Sequence, residues 1–244
     1  MADLSGRIAL VTGASRGIGR AAALALAEAG AHVIAVARTT GGLEELDDEI
    51  RKMGGAATLV PLDLKDGAGI DRLGAVIYER WGKLDIFFAN AAVLGTITPV
   101  SHLEPKLVDE VMAINVTANL RLIRSLDPLI RASNAGRVLF MSSVVVATCP
   151  PYWGIYSISK AALEALARTY AAETRQSNVR VNIFYPGATR TRMRAQAMPG
   201  ENPETLKPVE ELTADIIRML LPSFTETGTL FDFPTRKSTA LMPA

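Results

Sequence analysis

A tyrosine and a lysine stand four positions apart in the segment Tyr156-Ser-Ile-Ser-Lys160. On a helix, side chains at this spacing share one face, about 6 Å apart along the axis. A nearby ammonium group favours the phenolate and lowers the pKa of a tyrosine from about 10 toward neutrality. The pair therefore suits Tyr156 to act as a general acid or base. The same spacing also occurs by chance in ordinary amphipathic helices.

Two more polar residues are candidates for the same chemistry. Ser142 and Ser143 end a strand-like run, where a hydroxyl can hydrogen-bond a carbonyl oxygen as charge develops on it. We assign that role to Ser143 and expect Ser142 to be a strand-end turn residue. Asn115 falls inside a predicted helix, a poor position for asparagine, and could hold a water that links Lys160 to solvent. The candidate catalytic residues are Asn115, Ser143, Tyr156 and Lys160.

A glycine-rich turn, Thr12-Gly-Ala-Ser-Arg-Gly-Ile-Gly19, comes directly after the first predicted strand. Its glycines allow a tight turn and allow a pyrophosphate to approach the free N–H groups of a helix N-terminus. A strand before the turn and a helix after it are the context that a dinucleotide site requires. The turn therefore predicts dinucleotide binding, with a plain glycine-rich turn as the alternative.

The end of the second predicted strand indicates which dinucleotide is bound. NAD-binding proteins place an acidic residue here to hold the ribose 2′-hydroxyl. This chain has Ala37 at that point, followed by Arg38, and Arg16 lies in the glycine-rich turn. Guanidinium groups can pair with a 2′-phosphate and stack on adenine. We therefore predict NADP(H) as the cofactor, the alternative being two solvated arginines.

Short apolar runs alternate with longer amphipathic segments along the chain. The predicted strands cover residues 7–12, 32–36, 57–62, 84–88, 136–141, 179–185 and 229–233. The predicted helices cover residues 17–29, 43–53, 70–81, 106–131, 156–176 and 210–221, and Pro128 is expected to kink or end the fourth. This order predicts an α/β fold, a Rossmann-type doubly wound parallel sheet of about seven strands with helices on both faces.

The same pattern predicts one domain over residues 1–244, in which ligands bind at the carboxyl ends of the strands. Residues 188–208 are expected to form a substrate flap, and the proline-rich stretch 198–208 is expected to be a loop within the domain. The residues from about Thr235 are expected to form a loose tail.

Composition excludes several classes of function. The 26 Lys and Arg residues balance 25 Asp and Glu residues, so nothing favours nucleic acid or an anionic membrane as a partner. Cys149 is the only cysteine, which excludes an intrachain disulfide and a cysteine-based metal site. The beginning of the chain lacks the pattern of a signal peptide, and no apolar run is long enough for a membrane span. We expect a cytoplasmic protein without a bound metal.

Together these motifs resemble the short-chain dehydrogenase/reductase family, from about Arg7 to about Asp232. The four candidate catalytic residues match the family's tetrad. The family's Asn-Asn-Ala-Gly segment corresponds to Ala89-Asn-Ala-Ala92. The cofactor-binding residues assigned from the motifs and the resemblance are Gly13, Ser15, Arg16, Gly17, Ile18, Gly19, Arg38, Asp63, Leu64, Asn90, Tyr156, Lys160, Pro186, Gly187, Thr189 and Thr191.

The resemblance implies a role for each member of the tetrad. Tyr156 would donate the proton to a carbonyl oxygen, and Lys160 would lower the pKa of Tyr156 and bind the nicotinamide ribose. Ser143 would orient the substrate, and Asn115 would support a proton relay. Hydride would move to or from nicotinamide C4.

Four residues depart from the family pattern and bear on the shape of the pocket. Ala89 and Ala92 replace the usual first asparagine and final glycine, Val144 follows Ser143 where a small residue is frequent, and Tyr185 precedes Pro186. The segments expected to line the substrate pocket are 92–94, 144–153 and 188–198, which are mostly apolar. They favour a hydrophobic carbonyl compound. Arg190, Arg192 and Arg194 could attract an acidic substrate or form a solvated helix face.

The sequence therefore predicts an NADP(H)-dependent carbonyl reductase or alcohol dehydrogenase acting on a hydrophobic ketone, aldehyde or secondary alcohol. The alternative is a catalytically silent NADP(H)-binding sensor or scaffold. The resemblance also implies a homodimer or homotetramer that associates through the helices at 106–131 and 156–176.

Overall fold

The computed structural model describes residues 2–241, and its centre is one twisted sheet of eight strands. The strands are β1 (Ile8–Thr12), β2 (His32–Ala37), β3 (Ala56–Pro61), β4 (Ile86–Ala89), β5 (Arg137–Met141), β6 (Arg180–Tyr185), β7 (Thr229–Asp232) and β8 (Lys237–Ala240). Their order across the sheet is β3-β2-β1-β4-β5-β6-β7-β8, and all pairs are parallel except β7 with β8.

Helices cover both faces of this sheet. They are α1 (Gly17–Glu28), α2 (Thr40–Lys52), α3 (Gly67–Trp81), α4 (Pro105–Met112), α5 (Ala118–Ala132), α6 (Val145–Thr148), α7 (Gly154–Thr174), α8 (Arg192–Ala197) and α9 (Thr213–Leu220). Helices α1, α2 and α9 pack on one face, and α3, α5 and α7 pack on the other.

Strand β1 shows why the sheet needs cover on both sides. All its residues are buried, with Ala9 and Val11 in the core beneath α1 and Ile8 and Leu10 in the core beneath α3 and α7. Successive side chains of a strand point to opposite faces, so a continuous apolar run fits a parallel sheet between two helical layers. The predicted Rossmann-type fold is confirmed.

The strand order reverses between β1 and β4, because the chain goes from β1 outward to β3 and then crosses back to β4. The loop after β1 therefore leads toward one side of the sheet and the loop after β4 toward the other. A crevice lies between them at the carboxyl edge of the sheet.

Two features differ from the sequence predictions. The predicted helix at 106–131 is divided by a π-helical turn, Ala113–Thr117, and Pro128 lies within α5, which continues to Ala132. The predicted loose tail is wrong for residues 237–240, which form β8 and pair with β7, from Thr229 with Ala240 to Asp232 with Lys237. All four β8 residues are exposed, so hydrophobic alternation could not reveal this strand. Among residues 2–241, no helix is long and apolar enough to cross a membrane.

Candidate functional site

A cavity of about 780 Å³ opens at the carboxyl edge of the sheet, where the strand order reverses. The glycine-rich turn, the ends of β2, β4 and β5, helix α7 and the segment after β6 all contribute to its wall. The candidate residues that line it are Gly13, Ser15, Arg16, Gly17, Ile18, Arg38, Asp63, Leu64, Asn90, Ser143, Tyr156, Lys160, Pro186, Gly187, Thr189 and Thr191. The two remaining candidates, Gly19 and Asn115, are not among the lining residues.

Three positions of the glycine-rich turn require glycine. Gly13 and Gly17 have φ values of +69° and +57°, which L-residues with a Cβ rarely adopt. A Cβ on Gly19 would lie 2.3 Å from the carbonyl oxygen of Gly13 and 2.4 Å from Nδ2 of Asn90. The three glycines therefore allow the backbone of the turn to fold closely against the loop after β4 and leave the turn's surface open to a ligand.

Asn90 joins the ends of β1 and β4. Its Nδ2 donates to the carbonyl oxygen of Thr12 at 3.0 Å, and the backbone N–H groups of Asn90 and Ala91 each donate to Thr12 Oγ1 at 3.1 Å. These bonds fix the two strand ends that border the crevice. The departures at Ala89 and Ala92 leave this connection intact.

The end of β2 makes one end of the cavity positively charged. Arg38 and Arg16 are both exposed and both line the cavity. Among residues 2–241, no carboxylate forms an ion pair with either guanidinium group. The buried Ala37 leaves no carboxylate at the end of the strand. Two free guanidinium groups at one rim fit a phosphate group.

Tyr156 and Lys160 lie side by side beneath the centre of the cavity, on one face of α7. The Lys160 ammonium is 5.7 Å from the centroid of the Tyr156 ring and donates to the carbonyl oxygen of Met141 at 2.7 Å. Both side chains are almost fully buried. Burial raises the pKa of Tyr156 to about 12 and lowers the pKa of Lys160 to about 8. Burial dominates the pKa of Tyr156, so the expected lowering of that pKa by the Lys160 ammonium stays a prediction.

Ser143 lies directly after β5 and lines the same cavity as Tyr156 and Lys160. Among residues 2–241, its Oγ takes part in one side-chain hydrogen bond, a long one of 3.5 Å accepted from the backbone N–H of Val145. The hydroxyl hydrogen of Ser143 is therefore free to bond a ligand. The structure thus brings three of the four candidate catalytic residues to one cavity.

Asn115 lies behind the cavity, in the π-helical turn. Its Oδ1 accepts from the N–H of Val93 at 2.9 Å, and its Nδ2 donates to the carbonyl oxygen of Val93 at 2.9 Å and to Ser159 Oγ at 3.0 Å. Ser159 in turn donates to the carbonyl oxygen of Tyr156 at 2.8 Å. Through these bonds Asn115 connects α7 to the loop after β4. Its place in a π-helical turn is in keeping with this, since such turns are frequent at functional sites. The water-holding role of Asn115 stays a prediction.

An apolar wall encloses Tyr156 on the substrate side. The Trp153 ring centroid is 6.0 Å from that of Tyr156, and Leu94, Val145 and Ala197 are buried in the same cluster. The segments predicted to form the substrate pocket line this cavity in part; Cys149 and Tyr152 are exposed and are not among the lining residues. Both residues have a positive φ, 41° and 73°, at which the loop turns and their side chains face solvent.

The segment 188–208, which contains α8, forms the outer wall of the cavity and is tied together at several points. Lys207 Nζ donates to the carbonyl oxygen of Ala188 at 2.7 Å, so the two ends of the segment meet. Arg190 pairs with Glu204 at 3.1 Å, and Arg194 pairs with Glu201 at 2.6 Å. The third arginine of the group, Arg192, lines the cavity.

Sequence reasoning missed a buried carboxylate next to this site. Glu164 Oε1 accepts from Ser142 Oγ and from the Tyr185 hydroxyl, each at 2.6 Å. Ser142 is therefore a buried hydrogen-bond donor rather than a turn residue, and the Tyr185 side chain points away from the pocket. The available signal was spacing, since Glu164 follows Lys160 by one helical turn.

Among residues 2–241, no group of three or more His, Cys, Asp or Glu side chains could hold a metal ion. The donors around the cavity are instead hydroxyls, backbone amides and cationic groups, which suit an anionic organic ligand.

Comparisons with known proteins agree with this architecture. A family model described as short chain dehydrogenase matches residues 7–202. The uncharacterized oxidoreductase YciK of Escherichia coli K12 is 37% identical over 243 residues, covering 96% of this chain and 94% of its own.

Two crystal structures of similar proteins contain a nicotinamide cofactor. A protein from Shigella flexneri 2a str. 301, described as a short chain dehydrogenase and complexed with NADP, is 37% identical, with a TM-score of 0.91 over 95% of this chain and 99% of its own. A counterpart from Escherichia coli CFT073, complexed with NADPH, is 36% identical, with a TM-score of 0.89 over 95% and 98%.

Proposed function

Since this chain belongs to the short-chain dehydrogenase family of oxidoreductases, we propose that it is an NADP(H)-dependent carbonyl reductase or alcohol dehydrogenase. Its substrate would be a hydrophobic ketone or aldehyde, or the corresponding alcohol. The observation that carries this proposal is the meeting of Ser143, Tyr156 and Lys160 in the cavity that the glycine-rich turn also borders.

The cavity fits NADP(H) at three points. The side-chain-free turn at Gly13, Gly17 and Gly19 leaves room for the pyrophosphate beside the N-terminus of α1. Arg16 and Arg38 can hold the 2′-phosphate, with no carboxylate on Ala37 to oppose it. Asp63 and Leu64 line the same cavity, where they would meet the adenine. The NADP and NADPH bound by the two similar crystal structures support the same assignment.

Bound NADP(H) supplies or accepts the hydride, and the side chains of this chain manage the proton. Tyr156 donates its hydroxyl proton to the carbonyl oxygen of the substrate, and Ser143 orients that oxygen by a second hydrogen bond. The buried ammonium of Lys160 stabilises the phenolate that remains. Because burial alone raises the pKa of Tyr156 to about 12, the proton stays on the phenol until a substrate oxygen accepts it.

The apolar wall indicates the kind of substrate. Leu94, Val145 and Ala197 are buried around Tyr156, and Trp153 and Met193 pack against them. Such a wall binds alkyl or aryl groups next to the reacting carbonyl, and it offers little to a sugar.

We also propose a homo-oligomer. Leu120 on α5 and Ile158 on α7 leave 53% and 51% of their surface exposed, on the two helices predicted to associate. Light scattering at micromolar concentration should give a multiple of 26.1 kDa, and a mass of 26.1 kDa would contradict association.

The experiment that tests the function is a screen of alkyl and aryl ketones, diketones and aldehydes with NADPH, run in parallel with NADH. We expect NADPH to be consumed with at least one hydrophobic carbonyl compound, and NADH to be used much less efficiently. Tight NADPH binding without turnover of any compound would favour the silent sensor or scaffold instead.

A further inference from the structure

Helix α7 carries a third functional group in register with Tyr156 and Lys160. Glu164 follows Lys160 by four positions, so the three side chains descend one face of the helix, about 6 Å apart along its axis. All three side chains are buried, and Lys160, in the middle of the row, is the most completely enclosed, at 1% exposed. This order places the lysine between the group that loses a proton and a carboxylate.

Glu164 is held as a buried carboxylate. It is 7% exposed, and both hydroxyl donors, Ser142 at the end of β5 and Tyr185 at the end of β6, reach the same oxygen at 2.6 Å. That length is typical of a hydroxyl that donates to a charged carboxylate. A buried negative charge is stable only with such donors and a cation nearby. The cation on the same face is Lys160, one helical turn away. Among residues 2–241 the two groups form no direct ion pair, so the charge of Glu164 acts on Lys160 through space.

Resting on the function proposed above, we propose that Glu164 is a positioning residue that keeps Lys160 as the ammonium ion while Tyr156 gives up its proton. Without the carboxylate, Lys160 would itself lose its proton in its buried site and could no longer stabilise the phenolate. Ser142 and Tyr185 hold the carboxylate in place, which gives the otherwise unexplained Tyr185 a function outside the pocket.

The charges around the two groups are consistent with this role. Burial lowers the pKa of Lys160 to about 8, and the Glu164 carboxylate acts in the opposite direction. The atom that faces Lys160 from β5 is the neutral carbonyl oxygen of Met141. Burial and Glu164 raise the pKa of Tyr185, on which Asp232 of β7 and Arg168 of α7 also act.

The test measures the protonation of Lys160 directly, in the full-length chain. Lysine is labelled isotopically at Cε, the Lys160 signal is assigned with Lys160→Met, and its shift is followed against pH by NMR. The wild-type midpoint should lie at about 8. In Glu164→Gln it should fall by about one pH unit, a tenfold loss in the ammonium-to-amine ratio. An unchanged midpoint would overturn the proposal.

Two matched variants separate charge from structure. Glu164→Asp keeps the carboxylate, so the midpoint of the Lys160 titration should lie close to the wild-type value. Tyr185→Phe removes one of the two hydrogen bonds to Glu164 but leaves the carboxylate and the Ser142 donor, so the midpoint should fall much less than in Glu164→Gln. If Glu164→Gln does not fold, the combination of Ser142→Ala, Glu164→Met and Tyr185→Phe gives an apolar cluster of similar shape, in which the midpoint should fall likewise.

Turnover provides the second readout. In Glu164→Gln, kcat for ketone reduction should match wild type below the lowered midpoint and fall toward about a tenth of the wild-type value above the wild-type midpoint, the loss that a shift of one pH unit produces. A drop of equal size at every pH would show a merely structural role and overturn the proposal. The NMR titration needs no substrate, so its result stands even if the proposed reductase activity fails.

Discussion

The two halves of the cavity are built differently. The half assigned to the cofactor consists of strand ends and the short turns directly after them, held by hydrogen bonds between side chain and backbone such as those between Asn90 and Thr12. The half assigned to the substrate consists of the longer segments 144–153 and 188–208, held by side-chain packing around Trp153 and by ion pairs. The first half is therefore positioned by the sheet, and the second by contacts between side chains.

The largest expected effect lies at the boundary between the halves. Tyr156→Phe removes the proton donor and should lower kcat by about a hundredfold to ten-thousandfold. NADPH affinity, measured by fluorescence titration, should change little because the ring remains. The control is Tyr152→Phe, which alters an exposed tyrosine outside the cavity and should leave kcat unchanged. Equal losses in both variants would remove Tyr156 from its assigned role.

Arg38→Ala tests the cofactor half alone. Loss of one charge-assisted contact to the 2′-phosphate should raise the Kd for NADPH by about tenfold to a hundredfold. The Kd for NADH should stay within twofold, as a rough bound for a contact that NADH does not make. Arg72→Ala, on the exposed part of α3, is the matched control and should affect neither. A similar loss for both cofactors would discredit the assignment to the 2′-phosphate.

Trp153→Ala tests the substrate half alone. Removing the ring that packs near Tyr156 should raise KM for an aryl ketone by about tenfold, since one aromatic contact contributes about 0.5–1.5 kcal/mol beyond its buried area. KM for NADPH should not change. If KM for NADPH rose together with KM for the ketone, the two halves of the cavity would not be independent.

Arg190→Ala should have the smallest effect. Its partner Glu204 is exposed, and exposed ion pairs contribute about 0–1 kcal/mol. Thermal denaturation should therefore show a small or undetectable decrease in Tm, with unchanged kcat. A large loss of activity would mean that the segment 188–208 depends on this pair for its position.

The same contrast explains what the sequence could predict. The fold and the glycine-rich turn follow from apolar periodicity and from glycine spacing, which are local signals. So do the positions of Tyr156 and Lys160 on one helix face. The roles of the individual catalytic and cofactor residues, and the cytoplasmic location, stay predictions.

The missed features depend on contacts between distant segments. Glu164 meets Ser142 and Tyr185 only because β5, β6 and α7 pack together. Strand β8 is exposed on all its residues and forms through backbone pairing with β7. The π-helical turn around Asn115 adjusts α4 and α5 to the loop after β4. The raised pKa of Tyr156 comes from burial, which spacing within a helix cannot show.

The most direct test of the central claim follows the hydride itself. NADPH carrying deuterium at the transferable position of nicotinamide C4 is incubated with the chain and the best ketone from the screen, and the alcohol is analysed by mass spectrometry. We expect deuterium on the carbinol carbon, with no such product from Tyr156→Phe. Alcohol without deuterium, or bound NADPH that transfers none to any carbonyl compound, would contradict it.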